Sequence, residues 1–107
     1  MLSINFITPE NFTHVESTFV NELIFDEKSL DWLNNQLDCS IKQSEDEGRQ
    51  IFEVANAIRL EVLESSRDEI QEETAKAIFQ ATIDSQIDLY KICKAFVQEY
   101  KTNRKAA

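Results

Sequence analysis

The sequence has very few of the residues that form turns. Its 107 residues include one glycine, Gly48, and one proline, Pro9. A sheet of many strands needs a turn every few residues, and glycine and proline are among the residues that most often build those turns. Their scarcity argues against a β-rich fold. It favours an all-α, single-domain bundle of about four helices joined by short polar links.

Long apolar runs are also missing. No window approaches about 18 uninterrupted apolar residues, the length that indicates a membrane-spanning helix. Residues 1–7 contain no basic group ahead of an apolar stretch, so we expect no secretory signal. The sequence therefore predicts a cytoplasmic protein that makes no contact with membranes.

Histidine and cysteine are too scarce to suggest a metal site or a nucleophilic active site. The chain has one histidine, His14, and two cysteines, Cys39 and Cys93. Zinc sites use several Cys or His ligands at short spacings, and a catalytic nucleophile needs a base within reach. We therefore predict no enzyme activity, no cofactor and no metal. Two cysteines are too few for a disulfide scaffold, so we expect two largely buried free thiols.

One catalytic alternative is kept because acids are abundant. All-helical nucleotide pyrophosphohydrolases hold magnesium with clustered acidic motifs on facing helices, and carboxylates are ligands that magnesium accepts. A magnesium-dependent all-α nucleotide hydrolase is thus an alternative, although the spacing of its motifs is not matched. The acids that could imitate the arrangement are Glu61, Glu64, Glu69 and Glu72, or Asp84 and Asp88.

Apolar residues recur at spacings of three and four along most of the chain, which predicts helices. Thr8 and Pro9 have the features of a helix start, because threonine can cap and proline fits the first helical position. Asp26 or Ser29 can cap a second helix, and Ser44 followed by Glu47 matches a capping box for a third. The predicted helices span residues 9–24, 28–42, 45–64 and 66–103.

Two junctions near the end of the third helix and within the fourth are less regular. Ser65-Ser66 is expected to interrupt or bend the chain. The fourth helix is predicted to be continuous, with a break near Asp84-Ser85 as the alternative. Residues 104–107 are expected to fray.

The amino terminus predicts a short extended arm, residues 1–8. Within it, residues 3–7 alternate polar and apolar, so Ile4 and Phe6 would share one face of an extended segment. A single strand is not stable alone. We expect the arm to lie on the helices; pairing outside this chain is the alternative.

The net charge of −9 is distributed unevenly. Residues 1–43 carry −5, residues 44–73 carry −7 and residues 74–107 carry +3. The overall negative charge disfavours direct binding to nucleic acid or anionic lipid. It suits a protein partner with a basic surface.

The acids of the middle region share a predicted face. A helical wheel of residues 45–64 places them opposite the apolar side. The next segment, residues 64–74, adds five carboxylates against one arginine. Phe79 falls on the side of these acids and is either an interface residue or part of the core. The predicted partner-binding residues are Asp46, Glu53, Glu61, Glu64, Asp68, Glu72, Glu73 and Phe79.

These patterns lead to a functional hypothesis: a small acidic, non-enzymatic protein that binds and inhibits or antagonises a partner protein, in one form by imitating nucleic-acid charge. Small acidic helical proteins recur among toxin-immunity proteins and phage-encoded inhibitors of host defence, an analogy of type that rests on no motif. The plainest alternative is that the acids only keep the protein soluble. Another is a homodimeric structural or adaptor module that buries Phe79, Tyr90 or the Ile4–Phe6 arm.

Overall fold

The protein folds into five helical rods around one apolar core. The computed structural model describes residues 1–106, with side chains through Asn103, and within these residues the chain is all-helical and contains no strand. The all-α prediction is confirmed, with one rod more than expected. The helices are α1 (His14–Phe25), α2 (Glu27–Gln43), α3 (Glu47–Ile58), a π-helix (Arg59–Glu64), α4 (Ser65–Asp68), α5 (Glu73–Gln86) and α6 (Leu89–Ala106).

Helix α1 begins five residues later than the sequence predicts. Thr13, not Thr8, caps it: the Thr13 hydroxyl accepts a hydrogen bond from the Glu16 N–H at 3.1 Å. In return the Glu16 carboxylate accepts one from the Thr13 N–H at 2.9 Å, which completes a capping box. Pro9 instead lies in a turn, with its carbonyl accepting from the Phe12 N–H. The predicted start at Pro9 is wrong because a second cap satisfies two backbone donors at once.

Helices α2 and α3 lie close to their predicted positions. Asp26 caps α2 by accepting from the Ser29 N–H at 3.0 Å. Helix α3 is capped by Asp46, which accepts from the Arg49 N–H at 2.9 Å. The predicted cap, Ser44, lies outside the helix and accepts from the Asp46 N–H.

Helix α3 continues through the π-helix into α4, so the predicted interruption at Ser65-Ser66 is wrong, while the bend given as its alternative stays a prediction. The apolar spacing explains the π-helix. Ile51, Val54 and Ile58 are buried at steps of three and four, and the next buried side chain, Leu63, follows five residues later. Hydrogen bonds from residue i to i+5 define a π-helix, and that step brings Leu63 back to the core side of the rod.

The rod ends at Asp68, and residues 66–103 do not form the predicted continuous helix. Glu72 starts α5 by accepting from the Thr74 and Ala75 N–H groups at 3.0 and 2.7 Å. A second break follows at residues 87–88, three residues beyond the alternative position at Asp84-Ser85. There the Asp88 side chain accepts from the Lys91 N–H at 3.1 Å and caps α6.

The core is formed by α1, α2, α3 and α6. Helix α6 packs against α3 and α2, and α2 packs against α1 and α3. Helix α5 stays at the edge: all of it is described, and none of its residues is fully buried. The fully buried apolar residues include Val20, Ile24, Leu33, Leu37, Ile51, Val54, Ile58, Ile92, Phe96 and Val97.

The amino-terminal arm lies on the helices, as predicted, but not as an extended segment. Leu2 is buried, its N–H donates to Asn34 Oδ1 at 2.8 Å, and its carbonyl accepts from Asn34 Nδ2 at 3.1 Å. Phe6 packs 5.5 Å from the ring of Phe96. Ile4 lies in a turn and is 61% exposed, so the predicted shared face of Ile4 and Phe6 is wrong.

Helix α6 is helical through Ala106, and Ala107 lies outside the described residues. The fraying of residues 104–107 stays a prediction. Among the described helices, none combines the length and the apolar character that a bilayer crossing requires.

Candidate functional site

Six of the seven carboxylates predicted to face a partner have a role inside their own chain. Asp46 and Glu72 cap α3 and α5. Hydrogen bonds from Ala75 and Thr74 lower the pKa of Glu72. The ion pairs are Glu53 with Arg49 at 3.6 Å, Glu64 with Arg67 at 4.0 Å, Asp68 with Arg67 at 3.3 Å, and Glu73 with Lys76 at 4.0 Å.

These pairs reduce the negative surface without removing it. Exposed ion pairs contribute between about 0 and 1 kcal/mol each, and salt screens them. Acids also outnumber bases where the last part of the rod meets α5: residues 59–86 contain seven acids and three bases, a net charge of −4. We call this region, the π-helix, α4, α5 and their connection, the acidic end.

The π-helix separates acids that the wheel places in one row. Glu61 lines a cleft on the α2 side together with Trp32 and Val62. Glu64 lines a different cavity, on the α5 side, together with Phe79. One extra residue in a helix turns everything after it by about 100°. A wheel drawn at α-helical spacing therefore cannot align Glu53 with Glu64.

The cavity beside Glu64 has a volume of about 200 Å³ and lies between the π-helix, α5 and the start of α6. Its walls are largely apolar, and charged residues from two helices surround them. The apolar residues that line it are Leu63, Phe79, Ile83, Ile87 and Leu89, and the charged ones are Arg59, Glu64 and Asp84.

A chain of polar contacts spans α4 and α5 next to this cavity. Arg67 Nη1 donates to Gln80 Oε1 at 2.8 Å, and Gln80 Nε2 donates to Asp84 Oδ1 at 2.9 Å. Arg67 also pairs with Glu64 and Asp68. Because α5 buries none of its described residues fully, we expect this polar chain to help hold α5 on the rod. We call it the Arg67 brace.

Phe79 falls between its two predicted roles. It is half-buried and lines the cavity, on the inward side of α5 with Gln80 and Ile83. Its neighbour Ile78 points outward and is 62% exposed. The wheel of residues 66–103 cannot define these sides, because residues 69–72 are not helical and the phase is lost across them.

A buried ion pair holds the connection between α5 and α6 at its α6 end. The sequence does not indicate this pair. Glu16 is 1% exposed, and its carboxylate lies 2.5 Å from Lys91 Nζ. It also accepts from the backbone N–H groups of Thr13 and Asp88, both at 2.9 Å. Lys91 Nζ in turn donates to the Asn11 carbonyl at 3.0 Å. The group joins the start of α1 to the start of α6.

Burial acts on the pKa of Glu16 in the opposite direction from its partners. Desolvation raises it, while the hydrogen bonds from Lys91, Thr13 and Asp88 lower it, and the net result is a pKa of about 2. The capping box Thr13-x-x-Glu16 is the only sequence signal for this site. Lys91, the partner, is distant in sequence, so only the packed structure identifies the pair.

The two cysteines occupy different environments. Both are free thiols, as predicted. Cys93 is buried, and burial raises its pKa to about 12. Cys39 is exposed, so its predicted burial is wrong. The buried stripe of α2 runs through Leu33, Leu37 and Ser40, and Cys39 lies off that stripe.

Within residues 1–103, no group of three or more His, Cys, Asp or Glu side chains is arranged to hold a metal ion. Compared with protein-family models, curated proteins and solved structures, the chain matches none of them.

Proposed function

We propose that the protein is a non-enzymatic binding protein that inhibits or antagonises a basic partner protein, and that it contacts this partner through the acidic end. The observation that carries the proposal is the combination found in residues 59–86. They have a net charge of −4, and they include a complete helix, α5, whose described residues are all at least partly exposed.

Electrostatics supports a basic partner. A concentration of one charge sign steers a complementary partner to the surface and excludes partners of the same sign. The core of α1, α2, α3 and α6 closes without a fully buried residue from α5. A helix that contributes little to the core and carries exposed apolar and acidic groups fits a role in binding.

The predicted residues are not expected to contribute equally to binding. Glu61, Glu64, Asp68, Glu72, Glu73 and Phe79 belong to the acidic end. Asp46 and Glu53 belong to α3, where the first caps the helix and the second pairs with Arg49. We assign these two a smaller part in binding.

Charge reversal confined to the acidic end tests the proposal. The variant Glu61→Lys/Glu69→Lys/Glu73→Lys avoids the cap Glu72 and leaves the Arg67 brace intact. The matched control is Glu22→Lys/Glu27→Lys/Glu45→Lys, which changes three exposed acids elsewhere, one of them in a first helical turn like Glu73. Both variants change the net charge from −9 to −3.

We expect the wild type and the control to capture the same basic protein from host lysate at low salt, and the acidic-end variant to lose it. With the captured protein purified, calorimetry should show at least about tenfold weaker binding for the acidic-end variant, because several charges steer and fix the partner. Equal losses in the two variants would show that total charge, not this surface, controls binding.

A homodimeric module is a second candidate, favoured by one observation: Tyr90 is 55% exposed although it is large and partly apolar. The arm offers less to a dimer, because Phe6 already packs on Phe96. Sedimentation equilibrium distinguishes the candidates. A mass twice the 12.4 kDa of the chain, reduced to the monomer by Tyr90→Ser, would support the dimer.

A further inference from the structure

The size of the cavity at the acidic end limits what it can hold. Its volume is about 200 Å³. Small-molecule and cofactor sites range from about 300 to 1,000 Å³, whereas an apolar cavity of about 150 Å³ is large enough for a benzene ring. The cavity beside Phe79 therefore matches a single aromatic or branched apolar side chain.

The lining of the cavity matches the same kind of occupant. Leu63, Phe79 and Ile83 supply apolar walls from two rods that face each other. A pocket of this type, apolar inside and polar around its edge, is where interfaces concentrate their binding energy. An anchor side chain that enters it displaces water from apolar walls.

The charges around the cavity determine which residues of a partner can lie beside that anchor side chain. Glu64 and Asp84 are the acidic residues that line it. Arg59 is the one basic residue of its lining within the described part of the chain. The surrounding acidic end has a net charge of −4. A second copy of this chain would bring an equal negative charge to the same place, so charge disfavours it as the occupant.

We propose that this cavity is an anchor pocket for a basic protein segment: one aromatic or branched apolar side chain enters between the π-helix and α5, and flanking lysine or arginine residues lie against Glu64 and Asp84. The inference rests on the proposed function and specifies the partner's chemistry. It also assigns Phe79 a role, as a wall of the pocket and not as a side chain inserted into the partner.

Three short labelled peptides test the inference on the full chain. The first consists of lysine and serine with one central phenylalanine. The second replaces the phenylalanine with serine, and the third keeps the phenylalanine but replaces lysine with glutamate. Fluorescence anisotropy measures the affinities, and methyl NMR shifts of Leu63 and Ile83 report occupation of the cavity.

We expect the lysine peptide with phenylalanine to bind about tenfold more tightly than its serine counterpart, since burial of one aromatic side chain contributes at least that much. It alone should shift the Leu63 and Ile83 methyl signals strongly. Equal affinity of the two lysine peptides would overturn the anchor pocket while leaving the charge-based function intact.

The third peptide tests whether the occupant of the pocket must be basic. If the glutamate peptide binds as tightly as the lysine peptide with phenylalanine, a basic occupant is wrong, and so is the charge argument behind the proposed function. If none of the three shifts the methyl signals, the pocket is not an anchor site. The capture experiment from host lysate then tests the proposed function independently of the pocket.

Variants of adjacent residues on α5 provide the control. Phe79→Ala removes one wall and should abolish the tenfold preference, while Ile78→Ala, on the outward side, should keep it. Asp84→Asn keeps an oxygen that accepts from Gln80 Nε2 and leaves the apolar walls unchanged, and it should weaken both lysine peptides but not the glutamate peptide. If Phe79→Ala keeps the preference for the peptide with phenylalanine, or if Ile78→Ala loses it to the same extent, Phe79 is not a wall of an anchor pocket.

Discussion

At the scale of single residues, Glu16 is a buried carboxylate whose charge is compensated on several sides. Its carboxylate pairs with Lys91 Nζ and accepts hydrogen bonds from two backbone N–H groups. Removing one partner of a buried pair is strongly destabilising, because the other charge is left uncompensated. Lys91 is partly exposed, so water can relieve part of that penalty.

The lowered pKa of Glu16 predicts a pH dependence of stability. Its folded-state pKa is about 2 against an ordinary value of 4.5. The stabilisation is fully present above about pH 4.5 and is lost as the pH falls towards 2, with a size on the order of 3 kcal/mol. Urea unfolding of wild type and Glu16→Gln should therefore differ by about this amount at pH 7 and converge near pH 2.

The exposed acid Glu22 on the same helix supplies the control. Glu22→Gln removes the same charge without touching Lys91, and it should follow the wild-type curve at every pH. A gap between wild type and Glu16→Gln that stays constant from pH 7 to pH 2 would show that the ion pair does not create the pH dependence.

The two thiols should react at very different rates. Burial raises the pKa of Cys93 to about 12 and closes it to reagents, while Cys39 is exposed. Titration with a disulfide reagent at pH 8 should label one thiol in the native protein and two after unfolding. Cys39→Ser should abolish the native reaction; rapid labelling that survives in this variant would contradict the burial of Cys93.

At the scale of elements, helices could be predicted where periodicity and a strong cap agree. Helix α2 is the clearest example: Asp26 caps it, and Leu33 and Leu37 mark its buried side. The π-helix could not be predicted in the same way. Its residues are ordinary helix formers, and only the five-residue step from Ile58 to Leu63 indicates it.

The break before α5 could not be predicted from the sequence for a related reason. It contains neither glycine nor proline, and its cap is Glu72, which is not among the residues usually favoured at that position. A prediction that extends one wheel across residues 66–103 therefore assigns Phe79 to the wrong set of neighbours. The residue itself is correctly singled out, but the cavity it lines is not.

The Arg67 brace predicts local, not global, stability. Arg67→Ala removes the hydrogen bond to Gln80 and the pairs with Glu64 and Asp68. Since α5 adds no fully buried residue within the described chain, we expect the global free energy of unfolding to fall by about 1 kcal/mol or less. Amide hydrogen exchange in α5 should nevertheless accelerate by about tenfold or more.

Arg49→Ala is the matched control for the brace. Arg49 pairs with Glu53 along one helix and is more exposed than Arg67. It should leave exchange in α5 unchanged. If exchange in α5 is the same in Arg67→Ala as in the wild type, the helix is held by its half-buried apolar residues and not by the brace.

At the scale of the whole molecule, composition predicts the class of the fold and the sign of its charge. It cannot predict how charges are shared. Four of the predicted acids pair with bases three or four positions away or adjacent in sequence, a pattern that a wheel of acids alone overlooks. The cavity is less predictable still, because Leu63, Phe79 and Leu89 meet only through the packing of three helices.

The position of α6 has a consequence for how the protein is made. This last helix supplies Ile92, Phe96 and Val97 to the centre of the molecule, and Asn103 near its end donates to the Met1 carbonyl. Translation proceeds at roughly 5–20 residues per second. A nascent chain that has emerged only as far as Gln86 thus exposes the inner sides of α2 and α3 for about a second or more. During that interval the uncovered apolar sides of α2 and α3 are open to chaperones and proteases.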